Sequence, residues 1–102
     1  MHRAKIMESI IRVEWGPEKD GVTWHEAKEW CESLGDGWRM PTRLELLAAC
    51  EMKVEGFASA YYWSCSEISS NYAWWVQYFG NGYQYWADKN DDYRVRAVRD
   101  VE

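Results

Sequence analysis

Ile11, Val13 and Trp15 alternate with Arg12 and Glu14, and this period of two predicts a half-buried strand over residues 10–15. Gly16-Pro17 is expected to end it, with a turn at Lys19-Asp20-Gly21. The period then changes. Trp24, Ala27, Trp30, Cys31 and Leu34 recur at helical spacing, while Glu26, Lys28, Glu29 and Glu32 take the opposite face. Thr23 and Glu26 have capping-box spacing, so each side chain can satisfy a free backbone N–H of the first turn, and Gly35 is the expected C-cap.

Gly37-Trp38-Arg39-Met40-Pro41 reads as an extended link, because the residue before proline is pushed out of the helical region. Thr42 and Glu45 repeat the capping box. Leu44, Leu47 and Ala48 then trace a short second helix ending between Met52 and Gly56. From Tyr61 onward the pattern is strand and turn. Trp74, Val76 and Tyr78 share one parity and Trp75, Gln77 and Phe79 the other; Val76 marks the first as the core set. Gly80-Asn81-Gly82 supplies residues for a hairpin and Asp88–Asp92 a polar loop. The last strand, 93–101, loses its alternation at Ala97-Val98, which predicts a bulge or twist there. Trp24, Trp30, Trp38, Trp63 and Trp74 are the expected core tryptophans.

Length and composition narrow the picture. The 102 residues suffice for one domain, taken as 1–102. Eight Trp and seven Tyr exceed what one core needs, so some are expected to face outward as binding groups. A formal net charge of −5 argues against direct nucleic-acid binding and fits a protein partner with a basic surface. Cys31, Cys50 and Cys65 form no C-x-x-C pair, so neither a zinc site nor a dithiol redox site is expected. The odd count, with no apolar leader at the start, predicts reduced thiols and a cytoplasmic location. No apolar run is long enough to span a membrane.

The motifs Gly21-Val22-Thr23-Trp24-His25-Glu26-Ala27, Gly37-Trp38-Arg39-Met40-Pro41-Thr42, Tyr62-Trp63-Ser64, Ala73-Trp74-Trp75-Val76, Asn81-Gly82 and Val95-Arg96-Ala97-Val98-Arg99 fall in order over residues 21–100. In this the chain resembles the bacterial and phage C-type-lectin-like domains, a family of largely unknown function. Its relatives include the C-terminal lectin-like domain of collagen-like bacterial adhesins and, more remotely, formylglycine-generating enzymes and the variable proteins of diversity-generating retroelements. The resemblance implies an α+β fold: two helices on a small twisted antiparallel sheet, with the N- and C-terminal strands adjacent. It also implies binding, through the face or loops after Tyr62. The chain departs from the family's pattern at Ala97, where many members carry a cysteine that would match Cys31. The calcium–sugar motifs of animal lectins are missing too.

Catalysis is poorly supplied. His2 and His25 are the only histidines, and no nucleophile is paired with a base. Asp88, Asn90, Asp91 and Asp92 cluster hard oxygen ligands but lack the order of a calcium loop, so a solvated turn is expected, with no metal and no cofactor. Trp75, Phe79, Tyr83, Tyr85 and Trp86, with Asp88, Asp91 and Asp92 at the rim, are expected to form one aromatic–acidic partner-binding surface. The expected function is non-catalytic: a phage or mobile-element protein that docks on and inhibits a host nucleic-acid-handling complex, such as a CRISPR effector. The alternative is a glycan- or ligand-binding lectin-like recognition protein.

Overall fold

A computed structural model describes residues 12–69 and 73–101, with 69, 73 and 74 described by backbone alone. The elements run β1 (Val13–Val22), α1 (Trp24–Ser33), α2 (Arg43–Glu51), β2 (Tyr61–Ser69), β3 (Ala73–Tyr78), β4 (Gln84–Asp88) and β5 (Tyr93–Asp100). The strands form one sheet in the order β1-β5-β2-β3-β4. The α+β class and the adjacent first and last strands are as expected. The sheet is mixed rather than wholly antiparallel, because β5 lies parallel to β2 at Tyr62 and Arg94. Residues 89–92 join β4 to β5, which runs in the direction of β2.

Both helices start on complete capping boxes. Thr23 Oγ1 accepts from Glu26 N (3.4 Å) and Glu26 Oε1 from Thr23 N (2.9 Å); Thr42 and Glu45 repeat this at 3.2 and 2.8 Å. Gly35 follows the α1 cap with φ of 70°, a conformation that favours glycine.

β1 corrects the reading of its sequence. It does not stop at Gly16-Pro17 or turn at Lys19-Asp20-Gly21, but runs through both. Those residues fall instead at irregularities in register against β5, between Trp15 and Glu18 and between Lys19 and Val22. Proline is tolerated there because β1 is an edge strand among the described residues. The first irregularity lies opposite Ala97, so the break predicted on β5 is a bulge on β1. Ala97 and Val98 are both buried: Ala97 faces the core under α1, while Val98 exchanges two backbone hydrogen bonds with Arg39 (2.8 and 2.9 Å).

Both sheet faces are covered over much of their area. One carries α1, whose Trp24, Ala27 and Cys31 pack with Met40, Trp63, Val76, Ala87, Val95 and Ala97. Trp24 and Trp63 are buried with their indole N–H groups satisfied, donating to the carbonyls of Ser64 (3.0 Å) and Val22 (2.8 Å). Trp30 and Trp38 are half-buried against this cluster, and the Trp74 side chain lies outside the described residues. The other face carries α2 and the loop before β2. Leu46, Ala49, Tyr62 and Gln77 are buried there, and Phe57 stacks on Phe79 with ring centroids 4.2 Å apart. Arg96 pins the loop by donating to the carbonyls of Glu55 (2.8 Å) and Gly16 (2.9 Å), with its guanidinium 4.6 Å from the Phe57 ring centre.

Candidate functional site

α1 leaves one end of its sheet face open, and tyrosines collect there. Tyr61 begins β2 and lies opposite Tyr78 at the end of β3, because the two are register partners. Their ring centroids are 4.5 Å apart. Tyr93, the first residue of β5, places its ring 5.3 Å from Tyr61, and Tyr85 of β4 is 5.9 Å from Tyr61. Four strands thus contribute one tyrosine each to a single group. Asn81, in the β3–β4 hairpin, donates from Nδ2 to the Tyr85 hydroxyl (3.0 Å) and fixes the outer ring. Gly80 lets the Tyr78 ring lie across the hairpin: a Cβ there would stand 2.6 Å from that ring.

Beside these rings lies a cleft of about 320 Å³ walled by Tyr61, Tyr78 and Tyr93 together with Asp20, Asp92 and Arg94. Arg94 pairs with Glu18 at 2.7 Å and with Asp20 at 3.5 Å. Glu18 also accepts from the Tyr62 hydroxyl (2.9 Å). The Asp92 carboxylate has no hydrogen-bond or ion-pair partner among the described residues. The Tyr93 hydroxyl is held above its usual pKa by burial and then by the negative charge of Asp91.

The expected aromatic–acidic surface is therefore divided. Strand alternation sends Tyr85 and Trp86 to opposite faces: Tyr85 pairs with Val76, and Trp86 with Trp75. Tyr85 (38% exposed) joins the tyrosine group, with Asp92 in the adjoining cleft. Trp86 (69% exposed) stands on the α2 side next to Trp75. Trp75 is half-buried beneath Arg43, whose guanidinium lies 4.2 Å from the ring centre. Phe79 is no open anchor, being half-buried between Phe57 and Tyr62. Tyr83 projects from the hairpin at 67% exposure. Asp88 accepts from Asn90 N (2.9 Å) and caps its own turn, while Asp91 lies exposed in that loop. Among the described residues no group of three His, Cys, Asp or Glu is arranged to hold a metal ion.

Tyr61, Tyr78, Tyr93, Asp20 and Arg94 were missed as site residues. A signal existed for the first two: with Gly80-Asn81-Gly82 as the hairpin one strand later, a tyrosine opening β2 and another closing β3 are placed to pair. Tyr93 and Asp20 come from strands distant in sequence, and only the topology joins them.

A larger cleft, of about 490 Å³, lies between α1 and β2 and is lined by Trp24, Lys28, Arg39, Met40 and Cys65 among others. Cys65 is an exposed residue, but partial burial of its thiol raises the pKa, with Arg39 opposing. A thiol so placed is mostly protonated near neutrality and is a weak nucleophile. Cys31 is buried and pushed up to about 12 by burial and by Glu32. No helix of the described residues is long and apolar enough to cross a membrane.

The sequence model of the Lcl C-terminal domain matches residues 4–99. No curated protein matches the chain.

Proposed function

Because the chain belongs to the Lcl C-terminal domain family, we propose that it is a non-catalytic recognition domain of C-type-lectin-like fold that holds a protein partner at the tyrosine end of its sheet. The observation that carries this reading is the gathering of Tyr61, Tyr78, Tyr85 and Tyr93 from four strands at the part of the face α1 leaves open. Tyrosines on a rigid sheet present large amphipathic area at low entropic cost, as binding anchors do. The acidic loop beside them and the net charge of −5 favour a partner with a basic surface. A nucleic-acid-handling complex with a lysine- and arginine-lined channel is one member of that class.

The test compares capture of partners by the parent with capture by a Tyr61→Ser/Tyr85→Ser variant and by Trp86→Ser, each confirmed folded. The reading expects the tyrosine variant to lose the partner and Trp86→Ser to keep it. The reverse result moves the site to the Trp75–Trp86 side. The same proteins on a glycan array cover the alternative: a signal that disappears with the tyrosine variant makes this a glycan binder.

A further inference from the structure

The cleft beside the tyrosines has a chemistry more specific than a sticky patch. Its walls are aromatic, Tyr61, Tyr78 and Tyr93, and its charged atoms are dominated by carboxylate. Asp20 and Asp92 line it with Arg94, and Arg94 is already engaged by Glu18 at 2.7 Å and by Asp20 at 3.5 Å. Two carboxylates, Glu18 and Asp20, thus take up the charge of the one guanidinium. Asp92 is left without a partner among the described residues. Asp91, next to Asp92 in the same loop, adds negative charge near Tyr93, whose pKa is raised first by burial and then by Asp91.

Aromatic faces with an uncompensated carboxylate attract cations: the ring quadrupole is negative above its plane, and the carboxylate completes the charge. Resting on the reading that this end of the sheet is the partner site, we propose that the cleft receives a single basic side chain, lysine or arginine, of the protein partner, with Asp92 as its counter-ion. The alkyl stem of such a side chain suits the apolar rings, and its charged head suits the rim. Arg94 lines the cleft without competing, since Glu18 and Asp20 engage its charge.

The probes are capped five-residue peptides carrying one lysine or one arginine, with acetyl-lysine and citrulline peptides and methyl glucoside as neutral comparisons. The readout is the ring resonances of Tyr61, Tyr78 and Tyr93 in the intact chain. The two cationic peptides are expected to shift these rings saturably and the neutral probes not to. Asp92→Asn is expected to weaken the cationic peptides about threefold, the scale of an exposed ion pair, and raised salt to weaken them further. Asp92 lies in an exposed loop, so its variant tests charge without threatening the fold.

Neutral peptides or the glucoside shifting the rings as strongly as the cationic ones would overturn the proposal, as would an unchanged affinity in Asp92→Asn. Partner capture that still depends on Tyr61 and Tyr85 in that case preserves the site and rejects only its cationic occupant. Capture independent of those tyrosines rejects the site itself.

Discussion

Arg39 and Glu45 meet fork to fork: Nη1 donates to Oε1 at 2.9 Å and Nη2 to Oε2 at 2.8 Å. Glu45 is only 7% exposed and also accepts from Thr42 N in the capping box. Arg39 reaches Asp100 at 2.8 Å as well. One guanidinium therefore ties the start of α2 to the end of β5. Removing it with Arg39→Met strands a buried carboxylate and is expected to cost about 2–3 kcal/mol, below the fully buried range because Arg39 is partly solvated. Urea denaturation of the variant measures this, and a loss under about 0.5 kcal/mol would show that the pair is a surface contact.

The same pair sets a pH dependence. Burial raises the Glu45 pKa, but the Arg39 and Thr42 hydrogen bonds outweigh it and hold the carboxyl below its ordinary 4.5. A carboxyl depressed in the folded state stabilises above its unfolded pKa and loses that contribution as pH falls through the folded value. Thermal stability should hold above about pH 5 and decline below it. In Glu45→Gln the decline should be shallower, which a series of melts from pH 7 to pH 3 reads directly.

Gly16 sits where a side chain cannot. A Cβ there would stand 2.5 Å from the Trp38 ring, whose centre lies 4.4 Å from the Arg99 guanidinium. Gly16→Ala is expected to destabilise by about 1–3 kcal/mol through overpacking. Adding Trp38→Leu should relieve part of that cost, so a double-mutant cycle should show favourable coupling.

The two indoles Trp63 and Trp86 should behave oppositely. Trp63 has no exposed surface and a satisfied N–H, so Trp63→Ala should cost about 3–5 kcal/mol. Trp86 is mostly solvated, and Trp86→Ser should stay within about 1 kcal/mol of the parent. Chemical denaturation of both variants settles the contrast, and equal losses would mean that the sheet's outer face is covered.

The thiols should react in order of access. Cys65 is exposed, Cys50 half-buried and Cys31 buried with a pKa pushed up to about 12. Alkylation at pH 8 followed by mass spectrometry should label Cys65 first and Cys31 only after denaturant is added. Labelling of Cys31 in the native protein would show that α1 opens easily.

What the sequence determined by itself is local. Both helices, their capping boxes, the Gly35 stop and the strands from Tyr61 onward follow from periods of 3.6 and two and from side chains that satisfy the nearest backbone groups. Those interactions span a few residues and are written in neighbouring letters. Tertiary structure decided what depends on distant segments. β1 passes through Gly16-Pro17 because β5 pairs with it on one side and no other described strand pairs on the other, so a turn signal becomes a bulge. Phe79 and Trp75 are covered because Phe57 and Arg43, remote in sequence, pack on them. Tyr85 and Trp86 part company because the register with Val76 and Trp75 assigns each to a face. The tyrosine cleft exists only because the parallel return of β5 beside β2 brings Tyr93 and Asp92 to Tyr61, a juxtaposition no local pattern encodes.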